Sequence, residues 1–305
     1  MYAPHILSCG EVLWDLFPDG ARFGGAPANF ACHAALLGAR VTMLSAVGCD
    51  ARGTEALGIL GGFSIDTSLI RSVPNAPTGA VGVSVDAEGK PTFEIHADAA
   101  WDRIHWSEAL GHSLAGVDAV YFGTLGQRSS DSRATIRRAL LEAKSRGILR
   151  VLDINLRPPF YDGDLLRESI ALASVLKFSD EELPEVAAAC GVEPGLGPAA
   201  TLCALRSRLS LDCIVLTRGA DGALLVSEAG TTEQPGIPTA VVDTVGAGDS
   251  FTAAFVLGLL RSEPYAAILR HACETASAVC SHAGAIPASP RARGRRSVAK
   301  PHLPH

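Results

Sequence analysis

The sequence lacks three features that would place it in or across a membrane or outside the cell. No uninterrupted apolar run approaches the length of about 18 residues that marks a membrane span, so we expect no membrane association. The N-terminus has no charged region followed by an apolar stretch and a cleavage site, so we expect no signal peptide. The eight cysteines include no Cys-x-x-Cys pair and no zinc-like spacing with histidines. We therefore expect a cytoplasmic protein with reduced, buried thiols.

A basic surplus is also missing. Lys and Arg number 26 against 32 Asp and Glu, for a formal net charge of -6. A nucleic-acid-binding protein usually has the opposite balance, so we expect no nucleic-acid partner. Basic residues are clustered in a Pro- and Gly-containing C-terminal tail, residues 291–305, which we expect to be solvated and disordered.

What the sequence does contain is a regular alternation of apolar and amphipathic segments. Hydrophobic residues make up 48% of the 305 positions and charged residues 19%, which is typical of a folded globular protein. From about residue 110 onward, the alternation predicts a mainly parallel sheet with helices on both faces. The predicted strands are Asp118–Phe122, Ile148–Asp153, Val175–Phe178, Cys213–Thr217 and Ala223–Ser227. The predicted helices are Ser130–Arg146, Asp162–Leu172, Glu181–Cys190, Ala247–Leu260 and Tyr265–His282.

Two N-terminal segments depart from this alternation. Gly79–Ile95 has valines at every second position, a Gly-containing turn, and then alternating apolar residues again. This period of two predicts an antiparallel hairpin with one buried face. Val12–Phe17 is apolar except for Asp15, which needs a polar partner if it is buried. We expect these segments to form a small sheet attached to the main α/β domain.

The segment Asp243-Thr244-Val245-Gly246-Ala247-Gly248-Asp249-Ser250-Phe251 runs directly into an apolar predicted helix. Two glycines allow a tight turn before the helix, and the N–H groups of residues 247–249 would then form an anion hole. Such a hole stabilises the charge of a phosphoryl group in transfer. Asp249 would lie beside it as a general base for an incoming hydroxyl. The alternative is that Asp249 only caps the helix.

This segment resembles the C-terminal signature of the ribokinase-like sugar kinases, the PfkB family. A second signature of that family is present near the N-terminus, as Gly24-Gly25-Ala26-Pro27-Ala28-Asn29-Phe30-Ala31. The sequence is most similar to bacterial fructokinases, through Gly10-Glu11, through Asp153-Ile154-Asn155-Leu156-Arg157-Pro158, and through residues 179–183. The resemblance extends from about residue 6 to residue 288.

The resemblance implies a ribokinase-like three-layer α/β/α sandwich with a mainly parallel central sheet and a small β-sheet lid. The kinase domain would comprise residues 1–290, with lid strands from about 11–18 and 79–97 inserted in it. A homodimer formed through the lid is one arrangement that the resemblance suggests. The implied partners are a small-molecule sugar and ATP, with Mg²⁺ and K⁺ as cofactors.

Roles for individual residues also follow from the resemblance. Catalysis would fall to Asp249 and the anion hole Gly246, Ala247 and Gly248. The residues that would bind the sugar are Asp15, Gly25, Asn29 and Arg157. Those that would bind the nucleotide are Thr217, Gly219, Asp221, Gly222, Gly248 and Cys273. Plainer interpretations remain for several of these residues: a helix cap for Asn29, a surface ion pair for Arg157, and a simple turn for residues 217–222.

The resemblance assigns metal ions to two further sets of residues. Glu182 would act on Mg²⁺ through water; the alternative is a solvated acid at a helix start. A monovalent cation would lie near Asp243, Val245, Val279, His282 and Gly284. The sequence departs from the family pattern at Ser281-His282-Ala283, where a basic pair is common. It departs again at Cys273, where an asparagine often contacts adenine.

These observations predict an ATP-dependent sugar kinase, with fructose as the first substrate to test. Another keto-sugar, an aldose such as ribose, a sugar acid or a nucleoside is the alternative acceptor. A catalytically silent sugar or nucleotide sensor on the same fold is the alternative from another class. The retained aspartate with both flanking glycines argues against a sensor, which needs no base.

Overall fold

The computed structural model of the protein describes residues 3–85 and 91–287, and the predicted disordered tail 291–305 lies outside these residues. The described strands are β1 (His5–Cys9), β2 (Leu13–Phe17), β3 (Gly20–Gly24), β4 (Arg40–Gly48), β5 (Ile70–Val73), β6 (Gly79–Val85), β7 (Pro91–Ile95), β8 (Ala119–Gly123), β9 (Leu149–Asp153), β10 (Val175–Ser179), β11 (Cys213–Thr217), β12 (Ala223–Ser227) and β13 (Gly230–Gln234). The described α-helices are α1 (Ala26–Leu36), α2 (Ala51–Gly62), α3 (Glu108–Ser113), α4 (Ser130–Ser145), α5 (Gly163–Leu172), α6 (Leu183–Ala189), α7 (Pro198–Arg208), α8 (Ala247–Leu260) and α9 (Tyr265–Cys280).

The central sheet has nine strands in the order β13-β12-β11-β10-β9-β8-β1-β4-β5. All neighbouring strands from β11 to β5 pair in parallel, while β12 and β13 are added antiparallel at one edge. Helices α1, α2, α8 and α9 cover one face of the sheet, and α3 to α7 cover the other. The predicted three-layer sandwich is therefore confirmed.

Burial on both faces explains the apolar strands of this sheet. In β8, Ala119 and Tyr121 pack into one core, while Val120 and Phe122 pack into the other. A parallel sheet covered on both sides needs such strands, because neither face meets water. In the described part of the chain, no helix combines the length and apolarity needed to cross a bilayer.

A separate four-stranded sheet has the order β3-β2-β6-β7 and confirms the small second sheet. The predicted hairpin is present as β6 and β7, which pair antiparallel, and β2 pairs in parallel with β6; the predicted turn at 86–90 lies outside the described residues. The alternating valines of the hairpin behave as expected, because Val81 and Val83 are both buried. The sequence pattern did not predict β3, whose GARFG sequence has two glycines and a single large apolar residue.

Four of the five predicted helices are shorter than expected: α4 and α5 by one residue each, and α6 and α9 by more. Residues 179–182 form a turn in which the N–H of Glu182 donates to the Ser179 carbonyl, so α6 starts two residues after Glu181. At the other end of the chain, α9 stops at Cys280 rather than His282. All of these differences lie at helix ends, where local hydrogen bonds and not hydrophobic periodicity decide the boundary.

Candidate active site

A cavity of about 740 Å³ lies between the small sheet and the carboxyl ends of the central parallel strands. The small sheet contributes side chains from all four of its strands to the wall of this cavity, and the loop before α8 contributes another wall. The carboxyl edge of an open parallel sheet is where ligands usually bind, because loops from several strands converge there. The cavity brings together ten of the sequence-predicted residues: Asp15, Gly25, Asn29, Arg157, Asp243, Val245, Gly246, Gly248, Asp249 and Gly284.

The start of α8 has the geometry of an anion hole. Gly246 is its N-cap residue in the left-handed region, with φ 79°, and a Cβ atom there would lie 2.4 Å from the Ala285 carbonyl oxygen. Only glycine fits both requirements. The Ala247 N–H donates to the Thr244 carbonyl, which differs from the prediction that it faces the anion. The N–H groups of Gly248 and Asp249 have no backbone acceptor in the described chain, so these two amides are the ones available to an anion.

Asp249 is the third residue of α8, and its carboxylate faces across to α1 rather than capping its own helix. Its Oδ2 accepts a hydrogen bond of 2.9 Å from Asn29 Nδ2, although the two residues are 220 positions apart. Burial raises the pKa of Asp249 to about 7, and the negative charge of Asp153 contributes to the rise. The bond from Asn29 and the charges of Lys177 and Arg157 oppose it. A carboxyl with such a pKa is poised to take a proton near neutral pH.

Asn29 is the fourth residue of α1, so it is not the cap of that helix. Gly25 is the N-cap, with φ 105°, and a Cβ atom on it would lie 2.6 Å from the Glu11 carbonyl oxygen. The Asn29 side chain has one hydrogen bond, to Asp249, and its Oδ1 is buried without a partner among the described residues. Because a buried amide oxygen needs a donor, this atom is available for a ligand hydroxyl.

Asp15 lies on β2 with its carboxylate in the cavity. A Cβ atom on Gly24, in the paired strand β3, would lie 2.7 Å from Asp15 Oδ2, so the glycine makes room for the carboxylate. Burial raises the pKa of Asp15, and the charges of Arg157 and Arg22 oppose the rise. No hydrogen bond joins this carboxylate to another described residue, so both oxygens can accept hydroxyl donors.

Comparisons with known proteins decide the family. Residues 20–292 match the pfkB family of carbohydrate kinases. The chain belongs to that family. A fructokinase of Klebsiella pneumoniae is 29% identical over 260 residues, which is 82% of this chain and 82% of that protein. A fructokinase of Xylella fastidiosa, solved with bound ATP, superposes with a TM-score of 0.83 at 21% identity over 95% of this chain and 97% of that one. An aminoimidazole riboside kinase of Salmonella enterica, solved with its riboside and an ATP analogue, superposes with a TM-score of 0.78 at 22% identity, covering 96% and 99%.

Of the predicted nucleotide residues of this pfkB kinase, Gly248 is in the cavity wall and the others are not. Thr217 ends β11 and is paired with Ser179 of β10, so it is at the same carboxyl edge of the sheet. Gly219–Asp221 form a 3-10 turn. Gly222 has φ 89°, and a Cβ atom on it would lie 2.1 Å from the Gln234 carbonyl oxygen. Cys273 is buried on α9, where burial raises the pKa of its thiol to about 11. This burial agrees with the reduced, buried thiols expected from the sequence.

Glu182 and the cation residues have different local settings. The Glu182 carboxylate accepts from the N–H of Leu156 at 2.6 Å and from the N–H of Ser179 at 2.8 Å, so it joins two loops at the sheet edge. Asp243 accepts from the N–H of Val245 through Oδ1 and from the N–H of Gly284 through Oδ2. The two segments that the resemblance assigns to a monovalent cation are therefore tied together. Residues Val279 and His282 lie outside the cavity wall.

Sequence reasoning missed four charged residues in the cavity wall: Glu11, Arg22, Asp153 and Lys177. Asp153 and Lys177 form a buried ion pair, and Glu11 has a buried Oε2 without a partner in the described chain. Burial raises the pKa of Glu11 to about 7. Lys177 carries the signal that identified Asp15, a single charge inside an apolar strand, here VLKFS. Its ion pair with Asp153 could have been inferred only by knowing that β9 and β10 are neighbours.

The raised pKa of Asp249 predicts how the rate depends on pH. If Asp249 is the general base, as the resemblance implies, its protonated form is inactive, and kcat/KM is expected to fall about tenfold for each pH unit below the pKa of about 7. The measurement is kcat/KM at saturating ATP from about pH 5 to pH 9, with stability checked at each pH. A profile that is flat through neutral pH would contradict the assignment of Asp249 as the base.

Proposed function

We propose that this pfkB kinase transfers the γ-phosphate of ATP to a hydroxyl of fructose. The observation that carries the proposal is the joint placement of Asp249, the two free amides at the start of α8, and Asn29. A general base beside an anion hole is what an in-line transfer to a hydroxyl requires. The fructokinase relatives favour fructose among the sugars.

The proposed step is a direct displacement at the γ-phosphorus. The sugar oxygen forms a bond to phosphorus as the bond to the β,γ-bridging oxygen breaks, and that oxygen leaves with its electron pair on ADP. The hydroxyl proton passes to the Asp249 carboxylate, which starts the step ionised. The N–H groups of Gly248 and Asp249 donate to the equatorial phosphoryl oxygens, where charge is spread in the transition state.

The acceptor would lie at the small-sheet end of the cavity. Asp15 and the Oδ1 of Asn29 offer acceptors for sugar hydroxyls, and Arg157, which is exposed and donates to its neighbour's carbonyl, offers further donors. Val81 and Ile95 of the small sheet supply apolar surface above the site. Such a cover limits hydrolysis of ATP by excluding water from the transferring group.

Magnesium would neutralise the phosphate charges of the nucleotide when bound. Among the residues that the structure describes, no cluster of three or more His, Cys, Asp or Glu side chains could hold a metal by itself. The donor set therefore fits a metal held mainly by the nucleotide phosphates and water, as is usual for Mg²⁺. Glu182, with each oxygen already accepting one N–H, would reach the ion through water.

Potassium is expected to raise the rate relative to sodium or an organic cation. The loop 243–246, whose Gly246 sets the entrance to the anion hole, is bonded through Asp243 to Gly284 and would be ordered by a cation between the segments. The measurement is kcat at fixed ionic strength in K⁺, Na⁺ and tetramethylammonium chlorides. Equal rates in all three salts would exclude an activating cation and leave the transfer chemistry unaffected.

A substrate panel tests the proposed acceptor. ADP release is measured with ATP, Mg²⁺ and single acceptors that include fructose, other hexoses, ribose, sugar acids and nucleosides. Fructose is expected to give the highest kcat/KM, and nucleosides are expected to be poor. A higher kcat/KM with a nucleoside than with any sugar would favour a riboside kinase. The Salmonella riboside kinase, which has a similar fold, makes this the alternative to test. No turnover with any acceptor would favour the silent sensor.

A further inference from the structure

Lys177 places an ammonium group against the anion hole. Its Nζ lies 3.3 Å from the position that a Cβ atom on Gly248 would take, and both residues line the cavity. Gly248 supplies one of the two free amides at the start of α8. The ammonium therefore lies next to the position where the anion hole would hold the transferring phosphoryl group.

A buried ion pair fixes this ammonium in position. Lys177 and Asp153 are opposite each other in the register of β10 and β9, and Nζ lies 3.0 Å from Asp153 Oδ1. The other oxygen of Asp153 accepts from Thr252 Oγ1 on α8 at 3.0 Å. Asp153 thus connects the lysine to the helix that forms the anion hole. Only 8% of the Lys177 side chain and 1% of the Asp153 side chain are exposed.

The ion pair leaves hydrogen-bonding capacity unused on the cavity side. An ammonium group has three donors, and the hydrogen bond to Asp153 is the one bond that Lys177 Nζ makes to a described side chain or backbone group. Burial alone would lower the pKa of Lys177, but the nearby charges of Asp153, Glu182 and Asp249 keep it raised. The lysine therefore stays protonated at neutral pH, with donors directed to a cavity that already contains Asp249.

We infer that Lys177 is a catalytic residue whose ammonium binds the γ-phosphoryl group during transfer, with Asp153 as the positioning residue that aims it. This inference rests on the proposed function. The lysine keeps its protons throughout the step and donates to a non-bridging oxygen, whose charge it offsets as the bond to ADP breaks. The low exposure of the pair leaves little water to screen this interaction, so it remains strong as charge develops in the transition state.

The test must separate this role from a purely structural ion pair. Lys177→Met removes the charge but leaves Asp153 buried and unpaired, which destabilises the fold whatever the role of the lysine. The double variant Lys177→Met/Asp153→Asn removes both charges, and the amide oxygen introduced on β9 can still accept from Thr252. It is expected to recover the thermal midpoint lost in the single variant, yet to keep a kcat about 10²–10³-fold below wild type, with the sugar KM unchanged. The matched control is Lys144→Met, which removes an exposed lysine on α4 and is expected to leave kcat and the midpoint unchanged.

A binding measurement gives a second readout that does not depend on the sugar. ADP with Mg²⁺ and aluminium fluoride mimics the transferring phosphoryl group, and the double variant is expected to bind this complex about 10²-fold more weakly than wild type while binding ADP equally well. Recovery of both stability and kcat in the double variant, or equal affinity for the aluminium fluoride complex, would overturn the catalytic role. A wild-type protein inactive with every acceptor would instead contradict the proposed function, and the binding comparison would still decide the role of Lys177.

Discussion

Asp249→Asn is expected to lower kcat by about 10²–10⁴-fold, the usual contribution of a general base. The substitution keeps the size and shape of the side chain, and the new amide oxygen can still accept from Asn29 Nδ2, so the link between α1 and α8 survives. What is lost is the capacity to take the hydroxyl proton. Affinity for ATP is expected to stay close to wild type, because the start of α8 and its free amides are unchanged.

Steady-state kinetics, a thermal midpoint and ATP affinity by calorimetry together test this prediction. Asp131→Asn is the matched control, since Asp131 is an exposed acid in the first turn of α4 and has no place in the cavity wall. The control is expected to match wild type in all three measurements. Near-normal turnover by the Asp249 variant would show that Asp249 is not the base. Its side chain would then serve only to join α1 and α8.

Asp15→Ala is expected to raise the sugar KM about 10- to 100-fold, the effect of losing hydrogen bonds to a charged group. The carboxylate has no hydrogen-bond partner in the described chain, so its removal breaks no such bond within the fold. The ATP KM is expected to stay nearly constant, because Asp15 is on the small sheet and the start of α8 is not altered. A rise in the sugar KM with an unchanged ATP KM would indicate that the acceptor and the nucleotide bind at different ends of the cavity.

Asp19→Ala controls for the loss of an acid on the same hairpin. Asp19 lies in the turn between β2 and β3, where it forms an exposed ion pair with Arg22 and has no place in the cavity wall. Such pairs contribute little, so sugar and ATP kinetics are expected to be near wild type. An unchanged sugar KM in Asp15→Ala would mean that the acceptor binds elsewhere in the cavity.

Local sequence patterns predicted β2, the β6–β7 hairpin, β8 to β12 and five helices, but not β1, β3 to β5, β13, α1 to α3 or α7. The bounds of β11, β12 and α8 agree with the prediction, and the valine alternation correctly indicated the β6–β7 hairpin. The β3 strand escaped because its sequence has two glycines and a single large apolar residue. Helix ends were displaced where a side chain such as Glu182 closes a turn.

The residues of the candidate site also fall into two groups: those that a local motif identified and those that only the fold brings together. Asn29 and Asp249 were identified separately by their motifs, and the structure joins them with a hydrogen bond. Lys177 was interpreted only as part of a strand, and Asp153 only as part of a strand and of a fructokinase-like motif. Their meeting depends on the β9–β10 register and on the packing of α8. No spacing along the chain encodes that contact. The hydrogen bond from the Ala247 N–H to the Thr244 carbonyl is likewise a detail of turn geometry that a motif does not specify.

The most direct test of the proposed activity is to follow the γ-phosphate of ATP itself. The protein is incubated with fructose, Mg²⁺ and ATP radiolabelled in the γ-phosphate, and the products are separated and counted. We expect the label to enter a fructose phosphomonoester in equal amount to the ADP formed, with little inorganic phosphate. Label that remains in ATP, or that appears only as inorganic phosphate, would contradict the proposed transfer to fructose.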